Sequence, residues 1–127
     1  MRPSDYYQDL ISSITEDDVK RVAYQMTLHV GSDNMVDISQ LAYRVYGKVN
    51  TSTVRKTREI IERLVKEHGM PIGAYSGKAG RFIIRDEAER AMVTNELGSR
   101  IRELSDRLRA IQTAALPGAE PVQKSLF

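Results

Sequence analysis

Two helical periodicities separated by only a few residues constrain this chain more than any other feature of its sequence. Ile38, Leu41, Ala42 and Val45 recur at helical spacing, and Ser39 is placed to cap the helix they define. Tyr46-Gly47-Lys48 closes that stretch, Gly47 being able to enter the left-handed region. Val49-Asn50 completes the turn, and Thr51 or Ser52 opens a second helix with Val54, Thr57, Ile61, Leu64, Val65 and His68 facing inward. Gly69 ends this helix and Pro71 forbids its continuation. Two helices on so short a connection must pack against each other, and the rest of the chain has to cover what they leave open.

The flanking sequence supplies that cover. Met1 to Ser13 suits a short helix with Tyr6, Tyr7, Leu10 and Ile11 on one side, continued by Ile14. Thr15 can cap the next helix, whose first turn holds Glu16, Asp17 and Asp18 at the positive end of the dipole. Val19, Val22, Ala23, Met26, Thr27 and Val30 follow at helical spacing up to Gly31. Met35-Val-Asp37 suits a very short first strand. Pro71 to Ser76 and Arg81 to Arg85 are β-rich runs separated by Gly77-Lys-Ala-Gly80, the pattern of a hairpin. Asp86-Glu87 then opens a long helix to about Ala115, and Pro117-Gly-Ala-Glu-Pro121 makes a short, semi-stiff linker. The expected fold is mainly α with a small β-hairpin, in three parts: residues 1–86 as the domain, 87–116 as a helical arm and 117–127 as a tail.

Charge is informative through its placement. The chain has 127 residues and a net charge of only +2, yet Lys48, Arg55, Lys56, Arg58, Arg63 and Lys66 crowd one segment against Glu59 and Glu62. A basic segment on a near-neutral chain is what a local phosphate-binding face looks like. Glu59–Arg63 and Glu62–Lys66 have the i,i+4 spacing of ordinary surface pairs, which sets Arg55, Lys56 and Arg58 apart. Apolar content of 41% and charged content of 28% suit a soluble globular chain. The chain has no cysteine, no apolar run of membrane-span length and a polar N-terminus, so a cytoplasmic setting is expected.

In the long helix Val93, Leu97, Ile101, Leu104, Leu108 and Ile111 step by 4, 4, 3, 4 and 3, close to a heptad seam, with Gly98 weakening it. So narrow a stripe pairs with one other helix, either the N-terminal helices of the same chain or a second copy. A homodimer through Leu97, Ile101, Leu104, Leu108 and Ile111 is favoured, since two-fold pairing of like surfaces is the commonest oligomeric arrangement.

Element order and spacing from Asp37 to Asp86 resemble winged helix-turn-helix domains of bacterial and phage regulators and replication proteins. The resemblance implies duplex DNA as partner, with Ser52, Thr53, Arg55, Lys56 and Arg58 on the recognition helix and Lys78 and Arg81 in the wing. There Arg can fork onto guanine edges while Ser and Thr reach bases or phosphates. The tail Gln123-Lys-Ser-Leu-Phe127 resembles the pentapeptide, glutamine-x-x-leucine-phenylalanine, by which bacterial replication and repair proteins dock on the sliding clamp. That resemblance implies a polar contact from Gln123 and an apolar pocket filled by Leu126 and Phe127. Lys124 stands where the family often has Leu.

No catalytic constellation is present in the sequence: His29 and His68 stand alone on apolar helix faces, and there is no HExxH motif or nucleotide-binding glycine loop. The expectation is a non-enzymatic DNA-binding adaptor of replication or repair, tethered to the clamp by its tail, with no metal or cofactor. A dimeric winged-helix transcription regulator and a clamp-binding inhibitor of replication are the alternatives.

Overall fold

The structure, a computed structural model, describes residues 3–75 and 80–118. It divides into two compact units, Met1–Glu96 and Leu97–Phe127. The first unit holds α1 (Pro3–Ser12), α2 (Asp17–Met26), β1 (Val36–Asp37), α3 (Ile38–Tyr46), α4 (Thr51–Lys66), β2 (Ile72–Gly73) and β3 (Gly80–Ile83). The division falls inside the long helix α5 (Glu87–Thr113) rather than at Asp86, because Glu89 and Val93 are buried in the first unit.

The molecule is mainly helical with a small antiparallel sheet of order β1-β3-β2. β3 is central: Val36 stands opposite Arg81, and Ile72 and Gly73 stand opposite Ile83 and Phe82. The Ile83 N–H also donates to the His29 carbonyl at 2.8 Å, tying the segment after α2 to the sheet. Gly73 is required by a close approach, since a Cβ there would lie 2.9 Å from Val93 Cγ2 and 3.2 Å from Phe82 Cζ. The core is largely aliphatic, with Phe82 fully buried beside it, as suits a chain without Trp and with two Phe. Val19, Val22, Ala23 and Met26 of α2 meet Leu41 and Val45 of α3 and Ile60, Ile61 and Leu64 of α4, with Val36, Met70 and Ile83 closing the sheet side. Tyr7, Leu10 and Ile11 lay α1 against this cluster.

Several helix ends differ from the sequence expectation. Thr15 does not cap α2; Glu16 holds the N-cap position without a side-chain bond, because its carboxylate reaches Arg63 on α4 at 2.6 and 3.0 Å. Ser39 does not cap α3: the Asp37 carboxylate accepts the Ser39 N–H at 2.8 Å. α4 is capped by Asn50 rather than Thr51 or Ser52. Arg63 therefore pairs with Glu16 and Glu67 instead of Glu59, whereas Lys66 and Glu62 do meet at 3.1 Å. On α4 the buried stripe runs through Thr53, Thr57, Ile60, Ile61 and Leu64, which leaves Val65 exposed. The sequence phases that stripe toward Val54 and Val65; in the fold α2 and α3 meet the helix from the side of Thr53 and Ile60. No helix among the described residues is long and apolar enough to cross a membrane.

Candidate nucleic-acid interface

The turn between α3 and α4 is held by backbone chemistry rather than by burial. Gly47 adopts φ +75°, which a residue with a Cβ rarely enters, and its N–H donates to the Tyr43 carbonyl at 2.7 Å. Asn50 and Thr53 then cap α4 reciprocally: the Asn50 side-chain oxygen accepts the Thr53 N–H at 2.9 Å, and the Thr53 hydroxyl accepts the Asn50 N–H at 3.0 Å. The same hydroxyl can donate to the carbonyl of Lys48 at 3.1 Å or of Asn50 at 3.2 Å. Thr53 is 4% exposed. It is thus no surface donor and does not belong with the exposed residues of α4: its hydroxyl fixes the turn.

Ser52, Arg55, Lys56 and Arg58 all stand exposed on the first half of α4. Arg55 lies on the side of the helix opposite the buried stripe, and Thr51 and Arg58 flank it one turn away on either side. Among the described residues neither Arg55 nor Arg58 has an ion pair or hydrogen bond. Five other cations of the unit, Arg21, Arg63, Lys66, Arg85 and Arg90, each hold a carboxylate within 3.4 Å, whereas among the described residues Arg44 meets only the His29 ring. Glu59 and Glu62 stand one turn beyond Arg55 and Arg58, yet Glu62 pairs with Lys66 and neither arginine is engaged. The positive end of the helix dipole adds to the same field.

Lys56 is held differently. Its ammonium sits 5.9 Å from the centre of the Tyr46 ring, a cation–π contact at the edge of the basic face. The Tyr46 hydroxyl donates to Asp18 Oδ2 at 3.2 Å. Burial first, and the Asp18 carboxylate second, push the Tyr46 phenol up to about 12, so it keeps its proton and the bond at any physiological pH. This chain of contacts runs from α2 through α3 to α4 and sets the position of Lys56.

Lys48 and Thr51 join the exposed residues of this face, although the sequence does not single them out for DNA. Lys48 lies in the turn itself and Thr51 at the first position of α4. Lys48 begins the basic run and is legible as such; Thr51 reads as a cap, a role Asn50 takes. Arg81 is half-buried within β3, where its guanidinium donates to the Gly80 carbonyl at 3.2 Å. It is a strand residue opposite Val36 rather than one at the hairpin tip. Lys78, Gln123, Leu126 and Phe127 lie outside the described residues. Leu97, Ile101, Leu104, Leu108 and Ile111 are all exposed on α5. Comparison of the chain with protein-family models, curated proteins and solved structures finds no match.

Proposed function

We propose that the first unit is a winged helix-turn-helix which holds duplex DNA through the first half of α4, and that the protein is a non-enzymatic adaptor of DNA replication or repair. The observation that carries this reading is the pair Arg55 and Arg58. Both are exposed and without a carboxylate partner among the described residues, on a helix whose start is fixed by a reciprocal cap. Further support comes from the order of elements, α3, a short turn, α4 and then a two-stranded hairpin paired with β1.

In this reading α4 enters the major groove by its N-terminal half. Arg55 is the residue best placed for a guanine edge, Arg58 and Lys56 engage phosphates on either side, and Ser52, Thr51 and Lys48 add contacts near the turn. The pentapeptide Gln123 to Phe127 docks on the sliding clamp, and the Pro/Gly linker before it separates that contact from the DNA site. Each site is weak alone, and linking them raises avidity through effective concentration.

The test has two arms. Reversing both charges, R55E with R58E, is expected to abolish retention on duplex DNA. Replacing either one singly by Gln lowers the slope of log affinity against log salt by about 0.9 for each phosphate that the variant no longer neutralises. Deleting Gln123 to Phe127 is expected to end co-elution with the clamp while leaving DNA retention in place. Unchanged retention of the double charge reversal would remove the DNA reading. Absence of co-elution by the intact chain would remove the clamp reading and leave a winged-helix regulator.

A further inference from the structure

The second unit contains the C-terminal part of α5, Leu97 to Thr113, in which every residue past Arg100 is exposed. Leu97, Ile101, Leu104, Leu108 and Ile111 are between 49% and 64% exposed, although they are large aliphatic side chains. They step by 4, 3, 4 and 3, so all five fall on one seam of the helix. Helices in proteins gain most of their stability by packing an apolar face, and this seam is where a partner gains most.

We infer that this seam is covered by the same seam of a second copy, as a parallel two-stranded coiled coil. The argument for the occupant and its direction comes from the flanks. With Ile101 and Leu108 at position a, and Leu97, Leu104 and Ile111 at position d, position g holds Arg100 and Arg107. Position e then holds Gly98, Ser105 and Gln112. Side chains at g and e border the seam and decide pairing.

In an antiparallel pair g faces g, so Arg100 of each chain would stand beside Arg107 of the other, two like-charge contacts at the edge of an apolar seam. In a parallel pair g faces the e position five residues further along the partner. Arg100 then meets Ser105 and Arg107 meets Gln112, which can accept hydrogen bonds from the guanidinium groups. The acids Glu103 and Asp106 lie at c and f, away from the seam, and Arg102 is likewise turned outward, donating to Ser99 Oγ at 3.1 Å.

In-register parallel pairing also places each seam residue against its own counterpart and brings no charged group into the core. Every core position of the seam is aliphatic and none is polar, so the seam is complementary to itself in register, which suits a second copy. It spans little more than two heptads and contains Gly98 at its edge, so the dimer is reversible and its population follows concentration. A parallel arrangement sends both chains out of the coil at the same end.

The inference does not depend on DNA or clamp binding, and its test uses neither. Sedimentation or light scattering of the full chain should show a mass rising from one 14.4 kDa chain toward two as concentration increases. L104K should stay at the mass of one chain at every concentration, while D106K, on the outer face, should follow the parent protein. Retention of the thermal transition of the first unit by L104K separates a failure to pair from a failure to fold. Because the chain has no cysteine, L97C introduces a single thiol, and in a parallel pair the two copies are opposite each other. Air oxidation should then give a covalent dimer in high yield. Any of three results overturns the inference: a parent protein that stays at one chain, a mass above two chains, or an L104K mass that still doubles. A two-chain mass with no cross-linking of L97C overturns the parallel direction.

Discussion

Glu89 is 5% exposed, and its carboxylate is the junction of three segments. One oxygen accepts the Arg85 N–H at 2.7 Å; the other accepts the Ser32 N–H at 2.8 Å and the Arg85 guanidinium at 3.2 Å. Burial pushes this carboxyl up, but the two backbone N–H groups and the Arg85 charge together pull harder, and it ends below its ordinary value. A carboxyl depressed in the folded state stabilises the fold fully above its unfolded pKa, and that contribution is lost as pH falls through the folded value. Replacing Glu89 by Gln removes the charge and turns one acceptor into a donor, leaving a backbone N–H of Ser32 or Arg85 unmatched. The expected cost is about 1–3 kcal/mol at neutral pH by urea unfolding. The difference between parent and E89Q should shrink as the pH falls through the depressed folded pKa of Glu89. A gap that stays constant with pH would mean that shape, and not charge, is what Glu89 contributes.

At the scale of elements, the start of α4 and the docking of α5 are the two joints that matter. T53A removes half of the reciprocal cap with Asn50 and should lower stability by about 0.5–2 kcal/mol, while T53S retains it. Folded T53A should bind DNA with an unaltered salt slope, since Thr53 presents nothing to solvent; a changed slope in fully folded protein would return Thr53 to the DNA-facing residues. At the other joint, the Cβ of G73A meets Val93 of α5 and Phe82 of β3 inside van der Waals range. Overpacking there should cost about 1–3 kcal/mol in thermal or urea unfolding. V93A in the same chain opens the space again, so the double variant should be less destabilised than the sum of the two singles.

These joints also mark where the sequence is legible and where it is not. Element order, the left-handed Gly47 and the hairpin follow from periodicity and turn residues, which are local. The caps do not, because Glu16 is drawn away by Arg63 across the molecule and Asn50 outcompetes two adjacent hydroxyl residues. The phase of the α4 stripe decides whether Thr53 belongs to the core or to the interface. Val54 and Val65 are more apolar than Thr53, and only the approach of α2 and α3 from the other side settles the matter. Arg55 and Arg58 are readable as members of the basic run, but that Glu59 and Glu62 one turn on leave them unpaired is settled only by the fold. The pairing of β1 with β3 joins segments far apart in the chain through two residues, too short a run to carry a signal of its own.

For the whole molecule, the proposed reading assigns different physics to the two ends of one chain, and this separates them experimentally. On that reading the contact between α4 and DNA is electrostatic and should weaken steeply as salt competes for the phosphates. The proposed contact of Leu126 and Phe127 with a clamp pocket would be apolar and should respond little to salt. On DNA carrying a loaded clamp, the intact chain should therefore be retained more tightly than on bare DNA or on free clamp, because the second contact forms within one complex. Raising salt from about 50 to about 200 mM should remove the DNA share first, leaving a residual affinity equal to that of the tail alone. R55E with R58E should show that residual affinity already at low salt, and deletion of Gln123 to Phe127 should show only the salt-sensitive part. If the intact chain on clamp-loaded DNA binds no better than the tail-deleted chain on bare DNA, the two sites do not engage together. The linker from Pro117 to Pro121 would then be a spacer too short for the task, and lengthening it with Gly/Ser residues is the direct check. Recovery of the extra affinity would locate the fault in reach, and no recovery would leave DNA and clamp as partners on separate occasions.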